Sequence, residues 1–298
     1  MKLQGTVTAL VTPFKGQKLD EQRLAGLINE QISQGINGIL LLGITGESCT
    51  LTPEEQGKVI RIGVEEVKGR VPLIVGTDSN CTRTAIEKTC KAKELGADAA
   101  LVVTPYFNKP TQEGIFRHFE SIVKAIDLPL VVYNHPGRAV VNIELPTMLR
   151  IIDLPNIVGI KDAAEHLSQA GDLFHALRKR NSDISIFSSD DASTYALMAL
   201  GAKGVISVAA NLIPSQITAM VNAMLKGNHH EALNIHYELL PFFKVAFIET
   251  NPIPIKTAMN LCGFSVGDFR LPLCEMQSDH LVSLKQVLHE MNLIYKAT

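Results

Sequence analysis

"GILLLGITGES", residues 38–48, passes from four aliphatic side chains into a turn of glycine, threonine and glutamate. A parallel strand covered on both faces reads as a near-continuous apolar run, and its C-terminal end is where β/α barrels and open α/β sheets bind ligands. The stretch therefore reads as a buried strand that ends on the rim of a site. Runs of the same kind recur along the chain: TVTALVTPF (6–14), PLIVGTD (72–78), AALVVTPYF (99–107), PLVVYNHP (129–136), IVGIKDA (157–163), ISIFSSDD (184–191) and GVISVAAN (204–211). With 38–48 they make eight.

Helical patterns fill the intervals. Leu24, Leu27, Ile28 and Ile32 follow helical spacing, as do Ile115, Phe119, Ile122, Val123 and Ile126. Thr52-Pro53-Glu54-Glu55 offers an N-cap, a proline at the first helical position and a capping-box glutamate, and Gly96 suits a helix end. Eight strand-then-helix units fit a (β/α)8 TIM barrel better than a doubly wound sheet of about six strands. The reading divides the chain into a barrel core, 1–213, and a segment 214–298 holding the last barrel helix and a C-terminal extension. That extension reads as helix throughout, most clearly from Ile217 to Leu225.

Composition narrows the function. The 298 residues are 46% hydrophobic with a formal net charge of −2, enough for a large core and without the basic patch that nucleic acid or an anionic membrane requires. No apolar run approaches the roughly 18 residues of a membrane span, and the first residues alternate like a strand rather than a signal peptide. A cytoplasmic enzyme is expected. Cys49, Cys81, Cys90, Cys262 and Cys274 are odd in number and lack CxxC spacing, which argues for reduced thiols and against structural zinc. His135 and the His229-His230 pair lack the partner spacing of a metal site, so no metal or other cofactor is expected.

In a barrel the functional groups come from the strand ends. These ends carry Thr12; Thr45 and Glu47; Thr77 and Asp78; Tyr106; Tyr133 and Arg138; Lys161 and Asp162; Ser188 to Asp191; and Ser207. A lysine among aliphatic walls loses hydration, which lowers its pKa and makes a nucleophile for a carbonyl. From position alone Lys161 is either such an amine or a rim lysine paired with Asp162. Tyr133 is either its proton-transfer partner or a filler of the barrel's top layer. The GITGES turn, with its backbone N–H groups and the Thr45 hydroxyl, suits a small carboxylate. Arg138 is either a carboxylate fork or a solvated loop residue. Glu47 and Asp78 are expected to support turns or rim pairs. The loops after strands seven and eight lack a glycine-rich phosphate cup, which favours an unphosphorylated keto acid.

GxTGE at 43–47, VTPYFNKP at 103–110, VYNHPGR at 132–138, GIKDA at 159–163, GVIS at 204–207 and NPIPIK at 251–256 resemble the dihydrodipicolinate synthase (4-hydroxy-tetrahydrodipicolinate synthase) family. That family lies within the pyruvate-dependent class I aldolases that include N-acetylneuraminate lyase. The likeness runs collinearly from about residue 5 to 275. It implies a Schiff base between Lys161 and pyruvate, proton transfer by Tyr133, and pyruvate binding by Thr45 with the main chain near it and at Ile206. Arg138 would hold the carboxylate of L-aspartate 4-semialdehyde, and since neuraminate lyases do not usually carry that arginine, it favours the synthase branch. The family also implies a homotetramer built from tight dimers, with the loop around Tyr106 crossing to the partner's site.

Two positions depart from the pattern. Ile44 and Phe107 stand where the synthases have a second hydroxyl residue and a tyrosine that join Tyr133 in a relay across the dimer. Besides the synthase, this leaves open a pyruvate aldolase or lyase with another aldehyde, and a keto-acid-binding protein with little turnover. Ser48, Asn80 and Tyr106 match the lysine-effector pocket of regulated members, but Pro53, Gln56 and Thr84 replace its histidines and acidic residue, so weak or absent feedback is expected.

Overall fold

In the computed structural model, which describes residues 1–163 and 167–294, eight parallel strands close into a barrel: β1 (Gly5–Ala9), β2 (Gly38–Leu41), β3 (Leu73–Gly76), β4 (Ala99–Val103), β5 (Leu130–Asn134), β6 (Ile157–Asp162), β7 (Ser185–Ser188) and β8 (Gly204–Ser207). Consecutive strands are neighbours, and β1 closes the ring by pairing Val7 with Ile206 of β8 and with Gly38 of β2. Across β5, β6 and β7, Tyr133 is in register with Lys161, and Lys161 with Phe187. Both faces of the sheet are covered, which is why the strands read as apolar runs. Val7, Ala9, Leu40, Ile74, Leu101, Val131, Phe187 and Ile206 fill the interior.

The helices that return the chain are α1 (Glu21–Ser33), α2 (Pro53–Val67), α3 (Thr82–Glu94), α4 (Gln112–Ala125), α5 (Pro136–Ala139), α6 (Leu145–Ile152), α7 (Leu167–Lys179) and α8 (Thr194–Leu200). Sequence punctuation explains their limits. The Asp20 carboxylate accepts from Arg23 N at 2.9 Å to start α1, whose Leu24, Leu27 and Ile28 are buried. Thr52 and Glu55 form a reciprocal capping box at α2, with Pro53 in the first turn. Gly96, at φ +99°, ends the turn after α3 in a conformation that other residues rarely adopt.

Beyond β8 the chain forms α9 (Pro214–Leu225), α10 (His229–Val245), α11 (Ile253–Leu261) and α12 (Ser278–Glu290). The expectation of helix throughout this segment fails between α11 and α12, where residues 262–277 are irregular. Gly263, Ser265 and Gly267 all have positive φ there. Gly267 lies so close to Phe14 O that a Cβ would overlap it, so the chain is laid against the barrel instead of coiling. Arg270 fixes this segment by a two-pronged ion pair to Glu55 of α2, at 2.6 and 2.7 Å.

Candidate active site

The C-terminal ends of the strands surround a cavity of about 550 Å3, lined among others by Thr45, Asp78, Tyr133, Arg138, Lys161 and Ser189. The wall opposite the barrel comes from the link between α10 and α11, Phe247 to Asn251. So the extension roofs the site.

Lys161 is the second-last residue of β6, with only 6% of its surface exposed. Burial lowers its pKa to about 8; the carboxylates of Asp191 and Asp78 oppose that shift and the Arg138 cation adds to it. Its Nζ lies 4.2 Å from the centre of the Tyr133 ring on the adjoining strand. The Tyr133 hydroxyl is 3.3 Å from Ser189 Oγ. An amine with this pKa has on the order of a tenth of its molecules neutral at pH 7, against roughly one in 2,500 for an ordinary lysine.

The turn quoted at the outset closes tightly. A Cβ on Gly46 would come within 3.2 Å of Leu10 O and 3.3 Å of Leu42 N, and the Gly46 carbonyl accepts from the Thr12 hydroxyl at 2.6 Å. Leu42 and Glu47 bracket the turn in the left-handed region, at φ 56° and 51°, a conformation uncommon outside glycine. Between them Thr45 Oγ1 accepts from Asn251 Nδ2 at 3.0 Å. With its acceptor side engaged, the Thr45 hydroxyl has its own proton to offer a carboxylate in the cavity.

Arg138 sits on α5 at the cavity mouth, its guanidinium donating to Thr250 Oγ1 and Asn251 O, both at 3.3 Å. Asp78 is held up to about 6, chiefly by burial, with Lys88 opposing. Asp191 reaches about 6 for the same reason while accepting from Ser207 Oγ, Val208 N and Ala209 N.

Not every strand-end residue reaches the cavity. Thr12 serves Gly46, Thr77 bonds Thr89 of α3 at 2.8 Å, Ser188 donates to Asp190 O, and Ser207 serves Asp191. Ile206 is fully buried in the interior; Val208, two residues on, is the lining residue at that edge. Ile44 lines this cavity and a second one of about 260 Å3 that includes Tyr106. Phe107 lines neither and is 88% exposed, at φ 73°.

Sequence reading missed the roof, although Asn251 opens the NPIPIK motif. It also left Glu47 without a partner. The structure supplies Lys256 of that same motif, with both side chains fully buried and 2.7 Å apart. Among the described residues no cluster of three or more His, Cys, Asp or Glu side chains could hold a metal ion, and the five cysteines are free thiols. No helix there is long and apolar enough to cross a membrane.

A lysine of lowered pKa beside a tyrosine, facing a hydroxyl and an arginine, is an arrangement for imine chemistry on a keto acid. The model of the dihydrodipicolinate synthetase family matches residues 2–291. The chain belongs to that family. Membership makes it a lyase of the class I aldolase type. The 4-hydroxy-tetrahydrodipicolinate synthase of Protochlamydia amoebophila is 48% identical over 98% of this chain and 97% of its own length. A solved dihydrodipicolinate synthase described as a monomeric variant superposes with a TM-score of 0.95, at 40% identity and 98% coverage of both chains. The chloride-inhibited enzyme of Acinetobacter baumannii, solved with pyruvate, gives a TM-score of 0.95 at 39% identity, covering 98% of this chain and 100% of its own.

Proposed function

We propose that this chain is a 4-hydroxy-tetrahydrodipicolinate synthase of lysine and diaminopimelate biosynthesis, joining pyruvate to L-aspartate 4-semialdehyde through a Schiff base on Lys161. The observation that carries the reading is the buried, pKa-lowered Lys161 against Tyr133 in a cavity that is also lined by the Thr45 hydroxyl and the Arg138 guanidinium. The neutral amine adds to the pyruvate keto carbon, the oxygen leaves as water after protonation, and the resulting iminium acidifies the methyl group. Loss of a methyl proton gives an enamine whose carbon attacks the semialdehyde. Tyr133 is the group placed to move protons at the first of these steps. Thr45 and the turn hold the pyruvate carboxylate deep in the cavity, and Arg138 at the mouth holds the carboxylate of the incoming aldehyde.

The reading needs no cofactor and no metal. It includes a cytoplasmic location and a homotetramer of tight dimers, an assembly that would cover the exposed Phe107. A steady-state assay with pyruvate and L-aspartate 4-semialdehyde, run beside a panel of other aldehydes, tests it. The semialdehyde is expected to be turned over fastest; a preference for another acceptor would make the chain an aldolase of different specificity, and no turnover with any would make it a keto-acid-binding protein.

A further inference from the structure

Ile44 puts a branched alkyl group on the cavity wall, where the family resemblance implies a hydroxyl partner for Tyr133, and Phe107 is exposed outside the cavity. Yet Tyr133 has a hydroxyl neighbour from another direction. Ser189 lies one residue beyond β7, and its backbone N–H donates to Asp162 O at 2.8 Å, which anchors it beside the end of β6. From there its Oγ meets the Tyr133 phenol at 3.3 Å. The contact spans β6, the strand that carries Lys161 between β5 and β7. Its length exceeds that of a usual hydroxyl pair, as catalytic contacts often do before substrate tightens them. Tyr133 is buried, while Ser189 is half-buried and lines the cavity. The centre of the Tyr133 ring lies 4.2 Å from the Lys161 amine, and Ser189 is the more exposed member of the pair.

We propose that Ser189 is the positioning residue for Tyr133 and links the phenol to cavity water, in the place that a hydroxyl at position 44 would otherwise take. This rests on the Schiff-base reading above. As Lys161 Nζ adds to the keto carbon, the carbonyl π pair moves onto oxygen and that oxygen takes the phenolic proton. The phenol is refilled from Ser189 Oγ, which takes a proton from water in the same concerted shuttle and stays a hydroxyl throughout. The surplus proton on the new C–N nitrogen leaves to water, so protons and charge balance. For dehydration the path delivers a second proton to the carbinolamine oxygen, which departs as water while the nitrogen lone pair forms the C=N bond.

The test is the rate at which pyruvate forms the borohydride-trappable adduct on Lys161, a readout independent of the aldehyde. Ser189→Ala is expected to slow this step by about 10- to 100-fold, within the range of a positioned acid/base group, with the half-saturating pyruvate concentration changed less than about twofold. Ser189→Thr keeps a hydroxyl and should retain most of the rate. Adding Ile44→Thr and Phe107→Tyr to Ser189→Ala should restore much of the loss, whereas the same pair in the wild-type background should gain little. The rise in rate with pH near 8, which belongs to the amine, should stay where it is in all variants. The inference falls if Ser189→Ala forms the adduct at the wild-type rate, if Ser189→Thr is as slow as Ser189→Ala, or if the pH limb moves, which would place the defect in Lys161 itself. A wild-type enzyme that forms no adduct on Lys161 would instead remove the Schiff-base reading.

Discussion

Lys256 Nζ and Glu47 Oε1 form a salt bridge of 2.7 Å with both side chains wholly shielded from water. The same ammonium donates to Asp268 O at 2.6 Å, and the other Glu47 oxygen accepts from Arg270 N at 3.3 Å. Burial depresses the Lys256 pKa and the Glu47 charge opposes that shift. The pair thus nails the GITGES turn to the extension that roofs the cavity. Removing one partner leaves a bare buried charge, so Glu47→Gln or Lys256→Met alone should cost about 3–5 kcal/mol in denaturant unfolding. The double variant should recover a large part of that, and additive losses would mean that the pair is not coupled.

Among the described residues Arg138 is held by Thr250 and Asn251 O rather than by a carboxylate. Its charge is therefore available to an incoming acid. Arg138→Ala should raise KM for the semialdehyde by an amount equivalent to about 1.5–3 kcal/mol while adduct formation with pyruvate hardly changes. Equal weakening of both substrates would mark it as structural.

Asn251 orients the Thr45 hydroxyl and buries its own Oδ1 without a hydrogen-bond partner among the described residues. Asn251→Ala should weaken pyruvate binding in the same direction as Thr45→Val, and the two losses should not add, since both act through one hydroxyl. Pyruvate titrations of the three variants check this, and full additivity would separate the residues.

The fold was legible because each barrel strand is covered on both faces and so spells an apolar run ending in polar residues. Lys161, Tyr133 and Thr45 could be placed from those ends alone. What escaped depends on contacts distant in sequence. Glu47 finds Lys256 and Thr45 finds Asn251 only because α11 folds back over the mouth. Ser189 stood among the strand-end residues, but its approach to Tyr133 depends on the register of three adjacent strands. Residues 262–277 misled for a local reason: their conformation is set by docking onto Phe14 and Glu55, which periodicity does not express.

Pro53, Gln56 and Thr84 line one cavity of about 270 Å3 together with Glu87, Lys88 and Lys91. The Gln56 amide is already engaged with Ser48 O and Leu51 O. Glu87 is outweighed there by Lys88 and Lys91, and with neutral groups at 53, 56 and 84 the cavity keeps a formal positive charge and makes a poor site for another cation. L-lysine is expected to leave the initial rate unchanged at sub-millimolar concentration; inhibition in that range would contradict this.

Lys161 is expected to form an imine with pyruvate. Borohydride reduction in the presence of pyruvate, followed by peptide mass analysis, measures it directly. Because a lowered pKa of about 8 makes the neutral amine scarce at low pH, the rate of labelling should climb from pH 6 through about 8 and then level. One reduced pyruvyl group is expected on Lys161, absent in Lys161→Ala. Labelling of Lys161→Ala as fast as wild type, or an unlabelled Lys161 at pH 8 to 9, would contradict it.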